Sequence, residues 1–418
     1  MKTHLRLVLL ASAVVLPIVT SAQAAQITIL HRFDGADGTA PPAALTMGSD
    51  GRFYGTTIEG GQFNRGTVFA IKPNNGHFVT LHHFASSEGQ YAVGQLLKAS
   101  DGYLYGTTME GGDDNINCAG GCGTIYRLSP SGDFGTLHYM TPAEGSALSG
   151  GLVEGADGFL YGTAYLGGAH GCGTVYAFSR ADFKVAVRHS FNCGSEGRFP
   201  MGRLVEATNG FLYGTTSEGG KAELGTVYRM MPGGSEFHTL VQFADSNSGC
   251  QPKQGLIQAR NGDLYGEAED CGSYGTGALY AVTLNGSIRS VHGFSSDGYA
   301  RDGFGPRSEL LEGPDGKLYG TAMKGGTPPQ SPNRSGTVFS VNLKGDKIQI
   351  AAHLHGRSRW FYADQRPHTG TGWQPVWCDT GWRKRSLAWQ RRCVPAQRQQ
   401  MSGAPKPVRW PALFRSPS

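Results

Sequence analysis

The 418-residue chain is poor in charge: only 17% of its residues are Asp, Glu, Lys or Arg. It has no tryptophan before residue 360. After the first 25 residues no apolar run approaches the roughly 20 residues that a membrane-spanning helix needs. There is no Gly-x-Ser-x-Gly elbow, no phosphate loop and no His-Glu-x-x-His segment. These absences remove the signatures of a helical membrane protein, a serine hydrolase, a P-loop nucleotidase and a zinc peptidase. What is abundant is glycine, 64 residues, beside 39% hydrophobic and 10% aromatic residues. That is too much glycine for a helical protein and enough apolar content for a packed core, so collagen and disorder are excluded as well.

The formal charge of +5 suggests a nucleic-acid partner only until it is divided by region. Residues 353–418 hold 12 Lys/Arg against 2 Asp/Glu, and residues 26–352 hold 23 against 30. The body is mildly acidic, and no nucleic-acid partner is expected. Residues 1–25 have a basic start (Lys2, Arg6), an apolar run from Leu7 to about Val19 and the small-residue site Ala22-Gln23-Ala24, the layout of a cleaved secretory signal. A secreted or periplasmic protein is expected, with no membrane span after cleavage, and cysteine pairing is allowed there.

The strongest signal is repetition. The phrase Asp-Gly-x-Leu-Tyr-Gly or a near variant recurs six times, with tyrosines at 54, 105, 161, 213, 265 and 319, spaced 51, 56, 52, 52 and 54 residues apart. Each period carries four short apolar runs, such as Leu96–Ala99, Tyr103–Thr107, Gly66–Ile71 and Phe78–Phe84, labelled here strands a, b, c and d. Asp-Gly or Asn-Gly at the a–b joint predicts a two-residue hairpin turn, and Pro73–Gly76 typifies the c–d turn. The period predicts an all-β fold: a β-propeller of four-stranded antiparallel blades, since a β-helix rung needs about half that length. A linear array of small sheets is the alternative, but it would expose apolar faces that radial packing buries. Gln26–Phe33 reads as a strand d without a, b and c of its own.

The run Asp101-Gly102-Tyr103-Leu104-Tyr105-Gly106-Thr107-Thr108, followed by Gly111-Gly112, Gly123-Thr124-Ile125-Tyr126 and Leu137-His138, resembles the GloVer-type (Gloeo–Verruco) tandem repeat. The resemblance covers about residues 27–352. It implies an extracytoplasmic repeat protein of unassigned activity and brings no catalytic residues or cofactor.

The tail, 353–418, holds all six tryptophans and only five of the glycines. Trp has the single codon TGG, so reading one base later turns each Trp into Gly. Trp373, Trp377 and Trp382 then become glycines with the spacing of Gly102, Gly106 and Gly111. The shifted text around them can read Asp-Gly-Asn-Leu-Tyr-Gly-Val-Thr. We read the tail as an out-of-frame seventh repeat, expected to be disordered, rather than as a basic binding module. In the uninterrupted frame Gln26–Phe33 would complete that blade and close the ring.

In a meander blade the b–c loops and d–a connections emerge on one face. All six body cysteines lie there, and three disulfides are expected: Cys118–Cys122, Cys172–Cys193 and Cys250–Cys271, with a zinc site as the alternative. Glu59, Glu110, Glu218 and Asp270 lie beside the Gly-Gly of the b–c loops and are the candidate binding residues. With strand b near the axis, they could reach a central funnel and meet a cation, sugar hydroxyls or a basic partner. A second acidic series, Asp37, Glu88, Glu144, Glu196 and Asp297, each before Gly, reads as turn chemistry. His31, His82, His138, His189 and His292 recur once per blade on outer strands, too far apart to share a metal. No cofactor and no metal are expected. The sequence thus predicts a monomeric binding or scaffold module for a glycan or protein ligand. The alternative is a funnel-centred carbohydrate hydrolase or lyase with Glu59 and Glu218 as acid and base.

Overall fold

The computed structural model describes residues 29–112, 118, 120–244, 248–295, 302–326, 336–346 and 348–353, and the backbone of four short strands beyond them. Residues 1–25, the expected signal, and most of the expected out-of-frame tail lie outside this set. The described chain is all-β without a helix: six antiparallel blades at 46–83, 97–139, 153–190, 205–242, 257–293 and 304–353 form a six-bladed propeller. In blade 1 the strands are Thr46–Met47 (a), Phe53–Thr57 (b), Thr67–Ile71 (c) and Phe78–His83 (d), paired in that order. Blade 6 has a fifth short strand, Phe304–Pro306, pairing with its long strand b, Lys317–Lys324. The same pairing is a single bridge in the other blades, as in Thr39 with Glu59.

The repeated phrase is explained residue by residue. The turn Asp accepts the backbone N–H two residues on (Asp101 Oδ1 from Tyr103, 3.1 Å) and the tyrosine hydroxyl four residues on (Asp101 Oδ2 from Tyr105, 2.6 Å). Where Asn replaces it, the amide donates to the hydroxyl instead, as Asn209 does to Tyr213. Only the glycine takes positive φ (Gly102, +87°), and Ala99 N–H bonds Tyr103 O at 3.0 Å. The connection is therefore a three-residue loop with one left-handed glycine, not the expected two-residue turn, which would need positive φ at the Asp as well. The glycine after the strand-b tyrosine serves packing: a Cβ on Gly106, Gly162, Gly214 or Gly266 would collide with the strand-c tyrosine ring of the same blade.

Apolar clusters join successive blades. Between blades 1 and 2, Tyr54, Val68 and Ala70 meet Leu96, Leu104, Tyr126 and Leu128. Complete burial of such a side chain contributes about 1.5–3 kcal/mol, so each seam supports the ring strongly. A register shift recurs in strand d of every blade. The carbonyl of the extra residue (Arg188, Leu240, Val291) lies where a Cβ on the c–d turn glycine of the next blade (Gly234, Gly286, Gly345) would sit.

Residues 29–33 carry no ladder, contrary to the expected strand d, because no strand c lies beside them. They nonetheless occupy its place. Leu30 O packs on Gly76, His31 stacks on Phe78 at 3.7 Å, and Phe33 is buried with Leu45, Phe53, Phe69 and Ile71. Past blade 6, Ser358–Phe361 pairs with Cys378–Gly381, and Lys384–Arg385 with Ala388–Trp389.

Candidate functional site

The innermost strand is a, not b. Thr46 Oγ1 donates to Leu96 O and Gln95 Nε2 to Leu45 O, which joins the strand-a segments of blades 1 and 2 directly. Gly150 and Gly151 of blade 3 pack likewise on Gly202 and Gln95, and Gly202 on Gln254. The candidate acids at the end of strand b thus stand one strand out from the axis, and each is bridged to the incoming connection of its own blade. The bridges run Glu59–Thr39, Glu110–Gln90, Glu218–Arg198 and Asp270–Cys250. Two of the side chains are engaged locally: Gln90 Nε2 donates to Glu110 at 3.0 Å, and Arg198 donates to Glu218 at 3.1 Å while also meeting Glu223 at 2.8 Å. Glu59 and Glu218 belong to blades 1 and 4, three blades apart in the six-bladed ring.

The loop face itself is elaborate. The three disulfides form as expected, with Cα separations of 5.3 Å for Cys118–Cys122 and 5.4 Å for Cys172–Cys193 and Cys250–Cys271. Bonded sulfurs rule out zinc at these cysteines. Two large aromatics, Phe63 and Tyr274, stand 52% and 61% exposed in b–c loops. Tyr165 stacks on Phe199 at 4.8 Å, with the Arg198 guanidinium over the Phe199 ring.

The histidines belong to the rim. His82 stacks on Phe134 and His189 on Phe237 of the following blade, each at 3.6 Å. Nε2 of each rim histidine bonds the second acidic series: His31–Asp37 at 2.6 Å, and His82–Glu88, His138–Glu144 and His189–Glu196 at 3.1 Å. The fifth pair uses an acid outside that series. His292 bonds Asp302 at 2.8 Å, whereas Asp297 lies outside the described residues. The following glycine, Gly303, has positive φ and packs on Thr337 as Gly89 packs on Thr124. Burial holds His82 and His189 below the ordinary imidazole range, against the weaker opposing pull of Glu88 and Glu196. For Glu144, burial pushes upward but the bonds from His138 and Thr141 outweigh it, leaving the carboxyl below its usual value. Among the described residues no three His, Cys, Asp or Glu side chains are grouped to hold a metal.

The sequence reading missed the axis. The residue ahead of the buried strand-a leucine (Leu45, Leu96, Leu152, Leu204, Leu256, Leu310) is Ala44, Gln95, Gly151, Arg203, Gly255 and Glu309 in turn. Arg203 of blade 4 reaches past blade 5 to Glu309 of blade 6, Nη2 to Oε2 3.4 Å. Nearby, Lys253 meets Glu269 at 2.8 Å and Arg307 meets it at 3.7 Å. Between blades 5 and 6, Glu267 replaces the strand-b threonine that elsewhere donates to the next blade's backbone, as Thr163 does to Gly202 O. Glu267 is 2% exposed and accepts from Ser308 N–H at 2.6 Å and Ser308 Oγ at 3.1 Å. Burial pushes its carboxyl up to about 8, so it is mostly protonated at neutral pH. Aligning the six copies on the strand-a leucine would have exposed these departures.

Fold and loop face together define a disulfide-bearing propeller built of tandem repeats. Residues 18–209 and 170–370 match the Gloeobacter/Verrucomicrobia repeat model, and the chain belongs to that family. No curated protein matches it. Among solved structures, the GH74 enzyme of Niastella koreensis is similar at 13% identity and TM-score 0.50, over 76% of this chain and 46% of that one. An oligogalacturonate lyase in complex with manganese is similar at 11% identity and TM-score 0.48, over 76% and 78%. A putative 6-phosphogluconolactonase from Bacteroides uniformis is similar at 16% identity and TM-score 0.47, over 76% and 81%. At these identities the likeness is one of fold. The three disulfides, and the absence among the described residues of a helix able to cross a membrane, are compatible with an extracellular or periplasmic protein.

Proposed function

We propose that the protein is an extracytoplasmic binding or scaffold module that engages a glycan or protein through the face of b–c loops and d–a connections. One observation carries this reading: this face holds all three disulfides and the two most exposed loop aromatics, Phe63 at 52% and Tyr274 at 61%, whereas the opposite face is built of short a–b and c–d turns whose one exposed aromatic, Phe183, stands at 38%. Loops tied down by cross-links present a preorganised surface, which lowers the ordering cost of binding. Exposed aromatic rings suit sugar faces and protein hot spots alike.

The test is a glycan array and a protein-interaction screen with the purified chain, repeated on two variants. Phe63→Ala/Tyr274→Ala and Glu59→Gln/Glu110→Gln/Glu218→Gln should keep the parent's melting temperature and weaken whatever binds the parent. Equal binding by parent and both variants would remove this face from the function. The hydrolase or lyase reading retains one supporting feature, the unrepeated carboxylates Glu267 and Glu309 of blades 5 and 6. Cleavage of an array glycan, lost on Glu309→Gln, would promote it.

A further inference from the structure

We propose that Asn285, on the turn face, is a site of spontaneous deamidation that loosens the seam between blades 4 and 5. The chain contains four Asn-Gly pairs: Asn75-Gly76, Asn209-Gly210, Asn261-Gly262 and Asn285-Gly286. Glycine after asparagine favours the reaction, because no Cβ hinders the glycine nitrogen as it approaches the preceding side chain. That nitrogen attacks the asparagine Cγ: the N–Cγ bond forms, the Cγ–Nδ2 bond breaks, and the amide leaves as ammonia with the proton of the glycine N–H. Water then opens the cyclic succinimide at either carbonyl, giving aspartate or isoaspartate. The isoaspartate product carries one extra methylene in the main chain.

The sequence makes the four pairs alike, and two structural features leave them alike. All four asparagines are exposed. Every one of the four glycine N–H groups is bonded within its turn: Gly76 to Lys72 O at 3.0 Å, Gly210 to Ala207 O and Gly262 to Ala259 O at 2.8 Å, and Gly286 to Thr283 O at 2.9 Å. The side-chain amides differ. Asn209 is held at both ends, donating from Nδ2 to the Tyr213 hydroxyl at 2.9 Å and accepting at Oδ1 from Phe211 N–H at 3.3 Å. Asn261 donates to Asp263 Oδ2 at 3.1 Å and to the Tyr265 hydroxyl at 3.0 Å, and accepts from Asp263 N–H at 3.2 Å. Asn75 has one bond, from His77 N–H to Oδ1 at 3.1 Å. Among the described residues the Asn285 side chain makes none, since the Ser287 N–H of its turn is taken by Thr283 Oγ1. The amide must swing onto the glycine nitrogen to react, so each bond that holds it back slows the reaction about fivefold.

The position of Asn285 gives the reaction a consequence. Its turn joins strands c and d of blade 5 and is docked on blade 4: a Cβ on Gly286 would lie 3.0 Å from Leu240 O, and Arg229 Nη1 donates to Leu284 O at 3.4 Å. A main chain longer by one methylene at residue 285 cannot keep both the Gly286–Thr283 bond and this fit against strand d of the preceding blade. The turn therefore leaves its seat when isoaspartate forms.

The experiment incubates the purified full chain at mildly alkaline pH, below its melting temperature, and follows the four peptides by mass spectrometry and an isoaspartate-specific methylation assay. Asn285 should convert about fivefold faster than Asn75 and at least about twentyfold faster than Asn209 and Asn261. In denaturant the four rates should draw together, because the ranking belongs to the fold. Tyr213→Phe removes the partner of Asn209 Nδ2 and should speed Asn209 about fivefold while leaving Asn285 unchanged. Should that variant fold poorly, the denatured parent supplies the same comparison. The aged parent should melt about 2–4 °C below the fresh protein, and aged Asn285→Gln, whose longer side chain closes the ring far more slowly, should not. If Asn209 or Asn261 converts as fast as Asn285 in the folded chain, or if the ranking persists in denaturant, the site is overturned. Conversion of Asn285 with no fall in melting temperature would overturn its effect on the seam.

Discussion

At the rim, four blades and the N-terminal segment repeat one arrangement: a strand-d histidine bonds the acid of the next connection, as in His82–Glu88 and His189–Glu196, and packs on its neighbours. At the axis the corresponding inner residue changes from Ala44 to Gln95, Gly151, Arg203, Gly255 and Glu309 around the ring. A contact that every seam must make recurs with the seam. A group that serves the whole ring once has no reason to recur. Recurrence therefore identifies the His–acid pairs as structure, and its failure directs attention to Arg203, Glu309 and Glu267.

The largest effect should come from completing the comparison with a seventh blade. Leu30, His31 and Phe33 already occupy strand-d places against blade 1 without a ladder of their own. Restoring the frame of residues 353–418 would supply strands a, b and c for them. With several large side chains newly buried at about 1.5–3 kcal/mol each, the restored chain should melt about 10 °C higher. Limited proteolysis of the chain as it stands should remove the tail first. A tail as protease-resistant as the blades, or equal melting of both forms, would reject the frameshift account.

Repeat-level features were legible because each is written five or six times. The Tyr-Gly pair, the Asp-Gly joint and the rim histidines announced the blades and their two faces. The cysteine pairs were legible for another reason: their shared loop face and matching 21-residue spacings left few partners. What failed lay where one copy departs from the rest. The connection after His292 is longer than its counterparts, and the acid that bonds His292 is Asp302, a residue outside the acidic series read from the sequence, ahead of the positive-φ Gly303 that packs on Thr337. The carboxylates after strand b were placed too near the axis because the two-residue strand a, which holds that position, leaves a weaker pattern than strand b. Arg203 and Glu309 are far apart in sequence and meet only through ring curvature, which no local period encodes.

Next in size is the inner seam of blades 5 and 6. Glu267 is protonated when folded up to about pH 8, whereas in the unfolded chain it ionises near 4.5. Its contribution is therefore fully present below pH 4.5 and is lost as pH rises toward 8, by about 1.4 kcal/mol per pH unit. Glu267→Gln keeps an acceptor for Ser308 N–H and cannot ionise. Denaturant melts should show the two proteins close together at pH 4.5 and the variant ahead by a few kcal/mol at pH 8. Parallel pH profiles would mean that Glu267 is solvated, and the axis would then share the rim's indifference to this group.

The disulfides sharpen the contrast between loop face and turn face. Cys172–Cys193 and Cys250–Cys271 each span 21 residues, so replacing either pair by serine should cost about 3 kcal/mol. Cys118–Cys122 spans only 4 residues and should cost about 2 kcal/mol. Thermal melts of the three double variants would establish the order. An unchanged melt for the Cys172/Cys193 variant would show that the loops are held by their backbone bonds alone.

The smallest expected effect tests whether recurrence always means necessity. Tyr126, Tyr176, Tyr228 and Tyr280 repeat in strand c, are fully buried, and have hydroxyls without a hydrogen-bond partner. Burial drives each phenol well above its ordinary pKa, with the neighbouring Glu267 carboxyl adding to it at Tyr280. Blades 1 and 6 place Phe69 and Phe339 at the same position and pack the ring on the strand-b glycine in the same way. The ring is therefore the structural element, and the hydroxyl adds a desolvation cost that nothing in the blade returns. Changing each tyrosine to Phe should be neutral or stabilising by up to about 1 kcal/mol, with the rim and seams unaltered. A consistent loss above about 1 kcal/mol per site would instead assign the hydroxyls a buried partner such as water, and would make this recurring group as necessary as the histidines.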